Sequence, residues 1–221
     1  KRLESSGEAF QQSLERHVLR NYIFLHAIEN DLPLPLGAQD AGLLDTANYD
    51  EDVDDPSADA ELYLEGEDEN TEDAETLNLR DADAFRARAA ETYRLYAGQF
   101  KRRFKWLPPG FFVAQLKKDL ESDSASLLKI LDDCGQWDHA KDTKLAALVE
   151  LLTKKHPTEK VLIFSQFADT VRYLERCLKG AGVKAVAAVS GETSDPTGVA
   201  WRFSPGSNNK RDKIKADDEI R

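Results

Sequence analysis

The stretch KVLIFSQFADTVRYLERCLKGAGVKAVAAVSGET, residues 160–193, decides how the rest of the chain is read. Val161 to Phe164 make a short, almost wholly apolar run containing β-branched residues, the pattern of a strand buried on both faces of a parallel sheet. Asp169 then opens a helical period, with Val171, Leu174, Cys177 and Leu178 on one side and Gly180 and Gly182 at its end. Lys184 to Val189 supplies a second apolar strand, so the order predicts a β-α-β unit. In such units ligands sit at the loops leaving the carboxyl ends of the strands, here SQFAD and SGET.

Toward the N-terminus the period is helical throughout. Asp142 or Thr143 is placed to cap a helix whose Leu145, Leu148, Val149 and Leu152 face inward, and Pro157 stops it. Two short helices are expected before it, Phe112 to Glu121 and Ser124 to Cys134. Another begins near Asp81, carries Phe85, Ala89, Thr92, Tyr93 and Tyr96, and runs into GQFKRRFKW at 98–106. There Lys101, Arg102, Arg103 and Lys105 are interspersed with Phe100, Phe104 and Trp106. Such cations neutralise phosphate and such rings stack on bases, although a helix end with buried aromatics and solvated bases has the same sequence. From Glu8 to Glu29, Phe10, Leu14, Val18, Tyr22, Leu25 and Ile28 lie on one side of a long helix, widened by Leu19, Ile23 and Phe24 and ended by Pro33 and Pro35.

The charge divides the chain. It has 221 residues with 30 Lys and Arg against 41 Asp and Glu, a formal net charge of -11. No Lys or Arg occurs between Arg20 and Arg80, and those 59 residues hold 18 acidic groups, which leaves the remainder at +7. Like-charge repulsion and a scarcity of apolar residues predict a mobile acidic insertion over 36–79. The expected divisions are a long helix at 1–35, that insertion, a helical subdomain at 80–141 and the β-α-β region at 142–221. The fold class is therefore α/β with a large helical portion.

Metal and hydrolytic chemistry find little support. His17 and His26 have no ligand at metal spacing, Cys134 and His139 make only two ligands, and DEDVDD at 50–55 lacks the glycine and terminal glutamate of a calcium loop. No histidine beside a Ser or Cys nucleophile emerges, and Asp169 and Asp195 read as a helix cap and a turn residue. Two cysteines and the absence of a long apolar run predict a soluble, cytoplasmic protein with no membrane partner. With no Met anywhere, the chain reads as a piece of something longer.

The string from DTKLAALVELL at 142–152 through IFSQF and SGET, followed by VAWRFSPGSNNKR at 199–211 and DDEIR at 217–221, resembles the opening of the second RecA-like lobe of superfamily 2 helicase-like ATPases. The nearest branch is the prokaryotic SNF2-like one, and KRLESSGEAFQQSLERH at 1–17 is similar to the helix preceding that lobe. The resemblance implies a partial RecA-like lobe in which Ser165, Gln166, Gly191 and Thr193 touch a nucleic-acid backbone, with Arg202 to Pro205 holding the next helix against the sheet. Lys101, Arg102 and Arg103 are added as backbone contacts from the composition of their cluster.

For the parent protein it implies an ATP-dependent DNA helicase or translocase using ATP and Mg2+, with a first motor lobe as partner. No GxxxxGK[ST] occurs in the chain, so on its own it is expected to be inactive as an ATPase and to bind DNA weakly and in a salt-dependent way. The alternative is a non-catalytic interaction or regulatory module whose acidic segment docks on a basic protein.

Overall fold

Apolar periodicity resolves into helices far more than strands across the residues described by the computed structural model, 2–37, 79–191 and 193–220. In chain order the main elements are α1 (Arg2–Ser5), α2 (Gly7–Glu29), β1 (Leu34–Leu36), α3 (Ala82–Ala97), β2 (Lys105–Leu107), α4 (Ala114–Cys134), α5 (Thr143–Glu150), α6 (Ala168–Gly180) and α7 (Pro196–Phe203). The chain divides into two compact units, Phe10–Gly135 and Lys1–Ala9 with Gln136–Arg221. The acidic block and its DEDVDD string fall at 38–78, outside the described residues.

In the Phe10–Gly135 unit, Val18, Leu19, Tyr22, Ile23 and Leu25 of α2 are buried with Phe85, Ala89, Tyr93 and Tyr96 of α3. Tyr22 and Phe85 stack at 5.9 Å between centroids, and the Tyr93 hydroxyl donates to the Pro33 carbonyl at 2.7 Å. Asp81 starts α3 by accepting from the Ala84 N–H at 2.8 Å, which satisfies one of the first-turn donors. β1 and β2 pair antiparallel with Leu34 opposite Leu107 and Leu36 opposite Lys105. Pro35 is tolerated because a two-stranded ribbon leaves one side of each strand without a ladder.

The two short helices expected at 112–121 and 124–134 are one continuous α4. Nothing between Glu121 and Ser124 breaks a helix. Ser126 turns its hydroxyl back onto the Ser122 carbonyl at 2.9 Å, while Asp123 accepts from Asn21 at 2.7 Å and lies 3.2 Å from the His17 ring nitrogen. The polar residues from Ser122 to Ser126 thus continue the helix, with Asp123 meeting α2.

The other unit has a thinner core, in which Leu145, Tyr173 and Leu178 are buried against half-buried Leu148, Val149, Leu152 and Leu174. Asp142 caps α5 through two backbone N–H groups, those of Lys144 and Leu145, both at 3.0 Å. The helix then widens into a π-helical turn, Leu151–Lys155, before Pro157. Gly7 is required by a close approach, since a Cβ there would lie 2.1 Å from the Trp137 ring.

The expected parallel β-α-β pairing does not form among the described residues; the sheet present there is the antiparallel ribbon of β1 and β2. Of the α/β expectation, the large helical portion is present: the described residues form a mostly helical fold with a small two-stranded antiparallel sheet. A parallel strand needs a hydrogen-bonded neighbour as well as helices over its faces, and the candidate neighbour of Val161 to Phe164 is Lys184 to Val189. That partner is itself interrupted: Ala185 adopts a left-handed φ of 62°, which a β-strand does not contain. Leu162, Ile163 and Phe164 consequently stay exposed, Phe164 at 89%.

Candidate nucleic-acid interface

The basic cluster is built on a rigid aromatic base. Lys101–Arg103 form a single 3-10 turn, after which the chain enters β2. Phe104 is 6% exposed, with its ring 4.4 Å from that of Tyr96, and Trp106 meets the Phe104 and Tyr93 rings edge-on at 6.0 and 5.9 Å. The Trp106 indole N–H donates to the Lys101 carbonyl at 2.9 Å, which ties the strand back onto the turn. Two of the three rings expected to stack on bases, Phe104 and Trp106, are therefore packed into or against the core. Phe100 is half-buried and carries the Arg103 guanidinium 5.1 Å from its centroid.

Lys101, Arg102, Arg103 and Lys105 all remain exposed, and none forms an ion pair among the described residues. Neighbouring cations behave differently: Arg86 and Lys117 both reach Glu29, at 3.6 and 3.1 Å, and Lys117 also reaches Glu121 at 3.8 Å. Four solvated cations with no ion-pair partner among the described residues give a local positive potential suited to a polyanion.

Ser165, Gln166, Gly191 and Thr193 belong to the other unit. The Ser165 hydroxyl accepts from the Phe167 N–H at 3.3 Å, closing the turn that starts α6, and Gln166 is exposed beside it. The Thr193 hydroxyl accepts from the Ser190 N–H at 2.9 Å, while its own N–H donates to the Ser190 carbonyl at 3.1 Å; Gly191 lies exposed in that turn. Each hydroxyl thus organises its own turn. The helix-cap role read for Asp169 falls to Asp195 instead. Asp169 is buried inside the first turn of α6 and pairs with Arg172 at 3.1 Å, whereas Asp195 caps α7 through the Gly198 N–H at 2.8 Å.

Arg202 does not brace a sheet. Its Nε donates to the Asp218 carbonyl at 3.1 Å, and its own carbonyl accepts from the Ile220 N–H at 3.1 Å, so it fastens the 216–218 turn to α7. Asn208 supports the same end by donating to the Ser204 carbonyl at 2.7 Å.

Sequence reading missed a polar relay in this unit. The Trp137 indole donates to the Tyr173 hydroxyl at 3.1 Å, and that hydroxyl donates to Asp142 at 2.7 Å. Arg176, on the same helix as Tyr173, grips Glu8 with both carboxylate oxygens at 2.6 and 2.7 Å. Burial, with the Asp142 charge, pushes the Tyr173 hydroxyl pKa well above its ordinary value. The unfolded chain releases this proton first, so the contribution of Tyr173 is complete below about pH 10 and is lost progressively above it. Urea midpoints measured from about pH 9 to about pH 11 should therefore fall less steeply in Tyr173→Phe than in the unaltered chain.

An open cavity of about 1080 Å3 lies in the same unit, with aliphatic walls from Val161, Leu162, Val171, Leu174, Val186 and Val199. These residues do not fit ATP with Mg2+. The lining also carries Glu159, Glu175, Asp217 and Glu219 beside Lys184, a charge balance that disfavours a triphosphate, and no three His, Cys, Asp or Glu side chains among the described residues converge as a cation site. No helix among the described residues is long and apolar enough to cross a membrane.

Comparison of the chain with protein families, with curated proteins and with solved structures finds no match.

Proposed function

We propose that this protein binds a nucleic-acid backbone, and that it does so as part of a SNF2-like ATP-dependent DNA translocase. The first part rests on one observation: four exposed cations, Lys101, Arg102 and Arg103 on a 3-10 turn and Lys105 at the start of the strand that follows, lie on a segment held by Phe104 and Trp106 and have no carboxylate partner among the described residues. A pre-formed turn limits the entropy lost when its side chains meet phosphate. Contacts of this kind position a strand without reading its sequence.

The translocase assignment rests on the IFSQF and RFSP strings in their order along the chain. In this reading 142–221 is the opening of a RecA-like lobe, and Gln166, at the exposed start of α6, is its leading candidate for a track contact. Chemistry on ATP belongs to other parts of the parent, so no step of the binding proposed here passes through the nucleotide. An upstream phosphate loop and a downstream arginine-bearing motif in the gene would support the motor; their absence would favour the interaction module.

Binding itself is tested by fluorescence anisotropy with a labelled oligonucleotide at several salt concentrations. Replacing all four cations with Ala should weaken binding about tenfold or more near 0.1 M salt and flatten the log–log salt slope by about 3. Equal affinities and slopes for the two proteins would leave the cluster as solvated surface.

A further inference from the structure

We infer that Phe111 is a base-stacking residue, which makes the preferred ligand of the basic cluster a single strand rather than a duplex; the inference rests on the backbone-binding reading above and not on the translocase assignment. The turn's own rings cannot serve, because Phe104 is in the core and Trp106 packs edge-on against two other rings. Phe111 is 72% exposed, the most exposed aromatic ring among the described residues of the Phe10–Gly135 unit. It sits at the end of a 3-10 turn, Pro109–Phe111, whose geometry is fixed by two prolines and by N–H donation from Phe111 to the Pro108 carbonyl at 3.2 Å and from Phe112 to the Pro109 carbonyl at 3.0 Å. Phe112 anchors this turn to the core, so the neighbouring ring is presented on a firm support.

Charge complementarity selects the ligand. Phe111 follows Lys105 by six residues, so their separation is at most about 20 Å, and β2 occupies the first half of that path. A nucleic-acid strand rises about 3.4 Å per stacked nucleotide, so a tract of about six nucleotides lets the four cations hold phosphates while a base reaches Phe111. An exposed phenyl ring can cover a base only where a base face is free, and a duplex hides its base faces except at its ends. A single strand satisfies both halves of the surface, whereas a duplex satisfies only the charges.

The test measures anisotropy of the full chain with a mixed-sequence single-stranded 20-mer, with the matching blunt duplex, and with phosphatidylserine vesicles. The unaltered chain should prefer the single strand, and F111A and F111L should each weaken single-strand binding about 5- to 30-fold while changing duplex binding less than about twofold. F111W should retain the preference. Circular dichroism controls for folding, and an exposed ring is a site at which truncation leaves the core intact. F111L binding like the unaltered chain, stronger binding to the vesicles than to either nucleic acid, or a Phe111 series without effect on a chain that does bind DNA would each overturn the inference and leave the backbone-binding reading standing. Failure of the unaltered chain to bind either nucleic acid at low salt would overturn that reading too.

Discussion

Phe85→Ala is expected to destabilise the Phe10–Gly135 unit by about 3–5 kcal/mol, the range for truncating a large aromatic ring in a well-packed core. Phe85 is 0% exposed and stacks on Tyr22 with an interplanar angle of 10°. Its removal leaves a void between α2 and α3, whose side chains are already committed: the Tyr93 hydroxyl to Pro33, and the Tyr96 ring to Phe104. Collapse into that void would have to break one of these. Hydrogen exchange followed by mass spectrometry should show the opening free energy of peptides from α2 and α3 falling by that amount. Leu95→Ala, on the exposed face of the same helix, should change it by less than about 0.5 kcal/mol. A Phe85→Ala cost below about 1 kcal/mol would mean that the α2 and α3 faces do not meet as described.

That pair of residues also shows where periodicity is a sufficient guide. Phe85, Ala89, Tyr93 and Tyr96 repeat at helical spacing, and a helix with one apolar stripe can bury it in only one way. The α2 stripe was legible for the same reason, but its centre was not. Leu19 and Ile23, read as flanking residues, are buried completely or nearly so, while Phe10 and Ile28 remain half-exposed. Where the partner helix sits is a tertiary fact, and it rotates the buried arc.

Strands fared worse because a strand is defined by its neighbours. Val161 to Phe164 has the composition of a buried strand and no ladder, whereas Leu34–Leu36 and Lys105–Leu107 pair across a sequence gap of 68 residues despite a proline in one of them. Three residues are too few for an alternating pattern to register. The cations of the basic cluster were legible as exposed groups, since charge resists burial. Which aromatic faced solvent was not: Phe100, Phe104, Trp106 and Phe111 are similar in sequence context, and only the packing of Tyr96 and Tyr93 against the middle two removes them from the surface.

Asp142 carries more than the helix cap that its sequence position announced, and Asp142→Ala should accordingly cost about 2–4 kcal/mol in the unit that contains it. One carboxylate oxygen accepts from the Lys144 and Leu145 N–H groups; the other accepts from the Tyr173 hydroxyl at 2.7 Å. Losing an N-cap costs about 1 kcal/mol. Leaving the donor of a buried hydroxyl unmatched costs a further ~1–3 kcal/mol, and Tyr173 is only 2% exposed. The two contributions separate in a double-mutant cycle. In a Tyr173→Phe background Asp142→Ala should cost only the cap, about 1 kcal/mol, so the coupling between the two positions should be about 1–3 kcal/mol. Urea unfolding followed by exchange in α5 and α6 peptides measures all four corners. Strict additivity would show that Tyr173 finds another acceptor. The expected coupling would identify the Trp137–Tyr173–Asp142 relay as a principal tie between α5 and α6, where the apolar cluster of Leu145, Tyr173 and Leu178 is small.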